Sequence, residues 1–202
     1  MSLVLYHAAP SRSSGTLFLL EEAGLPYEIR LLDLKNGETH TPEFLAINPL
    51  GKVPTIVHDG AVITEQIAVT IYLGDLAVGK KLAPPPGDPL RGPYLRWVAF
   101  YGSSFEPALI DKALKRESGG QAMSPYGSYE AVVRAVSAQL EKGPYWLGET
   151  FTAADALWGS ALAWTSSFGL IEKTPAMAAY LDRITARPAF ARAKEIDARL
   201  SA

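Results

Sequence analysis

Asn48-Pro49-Leu50-Gly51-Lys52-Val53-Pro54-Thr55-Ile56-Val57 runs into Asp59-Gly60, then Ala61-Val62-Ile63 and Thr64-Glu65-Gln66. Read in order, this stretch is a turn, a strand, a two-residue reversal, a second strand and a helix start. Asp-Gly between apolar runs signals a hairpin, because both residues accept the positive φ that a tight reversal needs. Pro54 opens the first strand with no donor for the ladder, so it marks an edge or a chain reversal. A cis Val53-Pro54 bond would turn the Val53 backbone outward toward a ligand, whereas the plainer reading is an ordinary turn. Glu65 suits the positive end of a helix dipole, which is a structural role by itself. The free N–H groups at that helix start also make a ready carboxylate site.

Working outward, Leu3-Val4-Leu5-Tyr6 fits a buried strand, and residues 16–23 read as a helix stopped by Gly24-Leu25-Pro26. Residues 27–31 alternate as a second strand. Thr41-Pro42-Glu43 opens a short helix, with Thr41 as cap and Pro42 in the first turn. Residues 65–76 close the unit as a helix. The order β-α-β-α-β-β-α predicts a small mixed sheet covered by helices, since a parallel crossover needs a helix and a tight turn forces an antiparallel pair. This unit spans residues 1–78. Residues 79–87, with Pro84-Pro85-Pro86-Gly87, read as a short stiff linker. From 88 to 202 the strand signals vanish. Tyr94, Val98, Tyr101 and Phe105 recur at helical spacing, as do Leu157, Ala161 and Trp164, and the economical reading is an all-helical bundle. Thr152-Ala153-Ala154-Asp155 is a capping box that begins a helix at 152.

Composition excludes several classes of function. The 202 residues carry 19 Lys+Arg and 21 Asp+Glu, a net charge of −2, with 48% apolar residues, enough to bury a core. No dense basic run is present to hold nucleic acid or an anionic membrane. With no cysteine, disulfides, thiolate metal sites, a Cys nucleophile and a CxxC redox motif are excluded, so any sulfur chemistry must come from a substrate thiol. His7, His40 and His58 lack ligand-like spacing, and no metal site is expected. Gly51-Lys52 lacks the upstream glycine of a phosphate loop, since Ala46 stands there. No basic leader precedes Leu3 and no apolar run reaches about 18 residues, so a soluble, cytoplasmic protein is expected.

Together, Asn48-Pro49-Leu50-Gly51-Lys52-Val53-Pro54 and Thr64-Glu65-Gln66 resemble the glutathione-binding half of the soluble glutathione transferases, in a bacterial-looking form. The resemblance covers the whole chain: Leu19-Leu20-Glu21-Glu22-Ala23-Gly24-Leu25-Pro26-Tyr27 looks like the family's start, and Arg187-Pro188-Ala189-Phe190-Ala191-Arg192-Ala193 like its last helices. It implies an α/β thioredoxin-like N-terminal domain, an all-α C-terminal domain and a homodimer. Glutathione would be a co-substrate, with no permanently bound cofactor. By carry-over, Val53 would pair its backbone with the cysteinyl part of glutathione beside a cis Pro54. Glu65 and Gln66 would hold the γ-glutamyl end, and His40 and Lys52 the glycyl carboxylate. Gln66 stands where the family commonly has Ser.

The chemistry implied is activation of the glutathione thiol, whose pKa of about 8.5 leaves only a few per cent thiolate at pH 7. Lowering it by about two units takes roughly 2.7 kcal/mol, which a hydroxyl donor and a helix N-terminus can supply. Ser11 is the expected catalytic hydroxyl, with Arg12 adding positive charge and Ser13 a substitute donor. Tyr6 competes with it, and the serines of this turn also serve simply as helix caps. Tyr101 and Phe105, with Trp164 and His7 less strongly, are candidates for lining the pocket of a small apolar electrophile; an aromatic stripe is equally at home in a core. The expected reaction is conjugation. Glutathione-dependent isomerisation, peroxide reduction and a non-catalytic binding or chaperone role are the alternatives.

Overall fold

The computed structural model describes residues 2–120 and 122–201. Its first part runs β1 (Leu3–His7), α1 (Ser13–Ala23), β2 (Glu28–Leu31), α2 (Pro42–Leu45), β3 (Thr55–His58), β4 (Ala61–Ile63) and α3 (Gln66–Leu76). The strands form one sheet in the order β2-β1-β3-β4, with β1 parallel to β2 and the other pairs antiparallel. This is the thioredoxin-like domain. Then come α4 (Arg91–Phe100), a π-helical turn (Tyr101–Phe105), α5 (Glu106–Ala113), α6 (Tyr129–Leu140), α7 (Ala153–Ser167), α8 (Pro175–Thr185) and α9 (Pro188–Leu200). These build the helical domain.

Among the element boundaries that move from where the sequence pattern puts them, three have a visible cause. α1 starts at Ser13 rather than 16, because the serines enter the first turn: Ser14 N–H donates to Ser11 O at 3.1 Å, and Gly15 N–H to Arg12 O at 3.2 Å. β3 starts at Thr55, after the proline that has no N–H to give the ladder. The Val53-Pro54 and Ala9-Pro10 peptides are cis. α3 starts at Gln66, because Glu65 takes φ 62° and ψ 115°, outside the helical region.

β1 alternates between buried and half-buried positions, as the period of two requires, and this sorts its side chains to opposite faces. Tyr6 lies against Phe44 of α2 with ring centroids 5.4 Å apart, while His7 turns toward α1 and is fully buried. In the helical domain the core centres on Trp146 and Trp158, stacked at 4.1 Å, with Trp97 and Tyr180 at their edges. Trp158 anchors its indole N–H on Trp97 O at 3.1 Å. The two domains are bound through α1, which packs on both α7 and α9. No helix among the described residues is long and apolar enough to cross a membrane.

Candidate functional site

A cavity of about 940 Å³ opens where the two domains meet. The sheet domain contributes Ser11, Arg12, His40, Lys52, Val53 and Gln66, and the helical domain contributes Tyr101, Phe105 and Trp164. One end is polar and backbone-rich, the other apolar.

The polar end is shaped by loops that the sequence stiffens. Asn48 donates its amide N–H to Lys52 O and to Thr55 Oγ1, both at 2.9 Å, and so holds the turn ahead of β3 in place. Gly51 sits at φ 61°, where a Cβ would come 2.6 Å from Thr39 O and 3.2 Å from His40 Nε2. Only a glycine lets the two basic residues share that rim. His40 is tethered by Nδ1 to Thr39 Oγ1 at 3.0 Å, and both His40 and Lys52 are exposed. Among the described residues neither is ion-paired. Val53 is half-buried at the cavity wall, and its main-chain N–H and C=O make no hydrogen bond among the described residues.

The start of α1 forms the next wall. Ser11 is half-buried at the cavity wall, and its Oγ accepts the N–H of Ser13, the first residue of α1, at 3.1 Å. Arg12 pairs with Glu106 of α5. Burial alone would lower the Arg12 pKa, but the Glu106 carboxylate outweighs it and the guanidinium is held above its ordinary value. Gln66 joins three elements: its Nε2 donates to Arg12 O at 3.4 Å, and its Oε1 accepts from Tyr101 O–H at 3.3 Å. The usual Ser being replaced by Gln here therefore adds a bridge to the helical domain. Burial first, and then Glu106, push the Tyr101 pKa upward, keeping that hydroxyl a neutral donor.

Tyr101 and Phe105 fall within the π-helical turn, which interrupts the α4–α5 path where it faces the cavity. Gly102 in that turn lies against Ile67 of α3, so closely that a Cβ would collide with it. Both aromatic rings belong to the core, Phe105 meeting Trp158 at 4.9 Å and Tyr101 at 5.7 Å, and both also line the cavity. The core and pocket readings are thus compatible.

Four expected residues lie off the cavity wall. Pro54 and Ser13 are buried, and Glu65 is exposed at the mouth of α3 with no ion pair among the described residues. His7, expected at the electrophile pocket, is sealed behind α1 with 0% exposure, because the strand alternation turns it inward. Its Nδ1 lies 2.8 Å from Ser13 Oγ. Tyr6, the competing hydroxyl, is on the opposite face of the sheet and does not line the cavity. Sequence reading missed Leu109, Phe190 and Asp197 at the wall. Leu109 and Phe190 carry an apolar signal no different from core. Among the described residues no group of three or more His, Asp or Glu side chains is placed to hold a metal ion.

Family models for the glutathione S-transferase N-terminal domain and C-terminal domain match residues 1–75 and 126–183. Glutathione S-transferase 3 of Zea mays is 30% identical over 185 residues, covering 85% of this chain and 83% of the relative. The disulfide-bond oxidoreductase YfcG of Escherichia coli (strain K12) is 30% identical over 200 residues, covering 92% of this chain and 91% of its own. Among solved structures, a glutathione transferase from Methylococcus capsulatus superposes with a TM-score of 0.82 at 30% identity, covering 98% of this chain and 99% of that one. A sphingomonad glutathione S-transferase complexed with glutathione gives a TM-score of 0.81 at 28% identity over 96% and 98% of the two chains.

Proposed function

This chain belongs to the glutathione S-transferase family, and from that premise we propose that it is a serine-type, cytoplasmic transferase. In this reading Ser11 donates its hydroxyl to the glutathione thiolate, which attacks a small apolar electrophile. The observation that carries the proposal is the Ser11 hydroxyl at the wall of the cavity that the unpaired Val53 main chain also lines, with Tyr6 off that wall and packed on Phe44. Glutathione would lie across the polar end. Its cysteinyl backbone pairs with Val53 and its glycyl carboxylate meets His40 and Lys52. Its γ-glutamyl carboxylate takes the N–H groups at the start of α3, while Glu65 meets the ammonium. The electrophile occupies the apolar end against Tyr101, Phe105 and Trp164; His7 has no place in that pocket. A homodimer is part of the proposal, as the family resemblance implies.

A second reading is glutathione-dependent disulfide reduction, favoured by the likeness to the Escherichia coli oxidoreductase. Both need the same thiolate. Glutathione affinity measured beside conjugation of a chloronitroarene and reduction of a small disulfide separates them. Binding with conjugation is expected. Binding with disulfide reduction alone would replace the transferase reading by the second, and binding without either turnover would favour a non-catalytic protein.

A further inference from the structure

Behind Ser11, a line of polar groups leads through buried Ser13 and His7 to Asp197 of the last helix, which lines another part of the cavity wall. Ser11 Oγ is 2.7 Å from Ser13 Oγ, and Ser13 Oγ is 2.8 Å from His7 Nδ1. On the other side of the ring, His7 Nε2 lies 2.8 Å from Asp197 Oδ1 of α9. That last pair is within ion-pair distance, but neither atom makes a hydrogen bond among the described residues. The thiol reading above explains Ser11. It leaves unexplained why a fully buried imidazole and a carboxylate are lined up behind it.

Counting protons shows what this line permits. A hydroxyl has one proton to donate and two lone pairs to accept with. Ser13 Oγ always accepts the Ala8 N–H at 3.2 Å, and Ser11 Oγ the Ser13 N–H at 3.1 Å. With the Ser13 O–H directed along the line rather than at Ala8 O, 3.3 Å away, two arrangements are open to it. In the first, Ser11 O–H donates to Ser13, Ser13 O–H donates to His7 Nδ1, and the His7 proton sits on Nε2 toward Asp197, which leaves Ser11 Oγ free to accept from the cavity. In the second, His7 carries protons on both nitrogens, Nδ1–H donates to Ser13, Ser13 O–H donates to Ser11, and Ser11 O–H points into the cavity. The two arrangements differ by one proton and by the direction of both hydroxyls.

We propose that Ser11, Ser13, His7 and Asp197 form a proton relay that takes the thiol proton out of the cavity and lodges it on His7 against the Asp197 carboxylate. The S–H bond breaks as Ser11 Oγ accepts its proton. Ser11 passes its own proton to Ser13, and Ser13 passes its own to His7 Nδ1. A neutral thiol and a neutral imidazole become a thiolate and an imidazolium, and no electron changes hands. The step leaves both hydroxyls pointing the other way, so that Ser11 donates to the thiolate it has just made. Asp197 balances the new charge inside the protein, where an unpaired imidazolium would be costly.

The surroundings of His7 are consistent with that role. α1 presents Ser13 to it, β2 pairs Leu31 with it in the ladder, and α9 presents Asp197. Lys194, one turn earlier on α9, is a further charged residue lining the cavity, and it is exposed. Arg187 just before α9 and Arg192 on it are paired with Glu22 and Glu21 at the other end of α1. His7 touches no reacting atom and acts only through the two hydroxyls.

The proposal rests on the glutathione reading, so its test uses two ligands: glutathione, whose thiolate absorbance is titrated in the bound state, and S-methylglutathione, which has no thiol proton. Wild type, Asp197→Asn and Ser13→Ala are compared. Asp197 keeps 20% of its side chain exposed, so its isosteric replacement should fold. Both variants are expected to bind S-methylglutathione as wild type does, yet to raise the pKa of the bound thiol by about one unit, a roughly tenfold loss of turnover near neutral pH that is recovered at high pH. Unchanged thiol titration in Asp197→Asn would overturn the relay while leaving the glutathione reading intact. A shift in Asp197→Asn with none in folded Ser13→Ala would overturn the path through the hydroxyls. Wild type that takes up no S-methylglutathione would overturn the glutathione reading and the relay together.

Discussion

Glu65 combines an exposed carboxylate with a backbone at φ 62°, a conformation that a residue with a Cβ keeps only where its surroundings impose it. Such outliers gather at ligand sites, and here the strained residue immediately precedes the uncapped N-terminus of α3. If its carboxylate meets the γ-glutamyl ammonium, Glu65→Ala should weaken glutathione binding by about tenfold, roughly 1.4 kcal/mol. Ala68→Ser, on the exposed side of the same helix, should leave affinity unchanged. Calorimetric titration of the two variants decides the matter, and equal affinities would remove Glu65 from the site. Gly51 offers a different test, because its requirement is steric. A Cβ there would press on Thr39 O at 2.6 Å, in a left-handed backbone, so Gly51→Ala should cost on the order of 2 kcal/mol in urea denaturation. It should also lower glutathione affinity by displacing His40 and Lys52.

Between elements, the two ends of the chain are joined by charges. Arg187 at the start of α9 grips Glu22 of α1 through two bonds of 2.5 and 2.9 Å and lies 3.7 Å above the Phe151 ring. Arg192 adds a bond of 2.6 Å to Glu21, which also accepts from Tyr27 O–H at 2.7 Å. These contacts hold α9 over α1, and with it Asp197 over His7. Since Glu22 is nearly buried, Arg187→Ala should cost roughly 2 to 3 kcal/mol, more than an exposed pair. The start of α7 depends on a buried group instead. Asp155 is fully buried and accepts from Trp146 N–H at 2.7 Å, Thr152 N–H at 2.8 Å, Thr152 O–H at 3.0 Å and Tyr180 O–H at 3.2 Å. Asp155→Ala strands those donors and should cost about 3 kcal/mol, with turnover per folded molecule preserved. Burial pushes the Asp155 carboxyl up to about 6, against the hydrogen bonds that favour its charge. Below about 4 both states of the chain hold its proton. Between that pH and about 6 the unfolded chain releases the proton while the native chain keeps it. Its contribution to stability therefore falls as pH rises through this window. Urea midpoints measured from pH 4 to 7 should show a decline that Asp155→Ala flattens.

At the scale of the molecule, the elements whose periodicity is strong are legible in the residues. The hairpin around Asp59-Gly60, the mixed sheet and the capping box at Thr152 and Asp155 all follow from spacing and turn chemistry. Boundaries set by tertiary contacts are not: α1 takes in Ser13 because Ser13 bonds to His7 and Ala8, partners outside its own helix. The same limit holds for the site. Ser11, Arg12, His40, Lys52, Val53 and Gln66 are brought together at one cavity end from motifs dispersed over 56 positions of sequence. His7 could not be placed without knowing which strand face meets α1. Asp197 carries no local signal, since its meaning comes only from α9 folding back onto the first domain. The central claim remains the Ser11 hydroxyl, and it is tested most directly by titrating the thiol of bound glutathione in wild type, Ser11→Ala and Tyr6→Phe. A thiol pKa below that of free glutathione is expected in wild type and Tyr6→Phe, with a rise of at least about one unit in Ser11→Ala. A raised pKa in Tyr6→Phe with Ser11→Ala indistinguishable from wild type would contradict it.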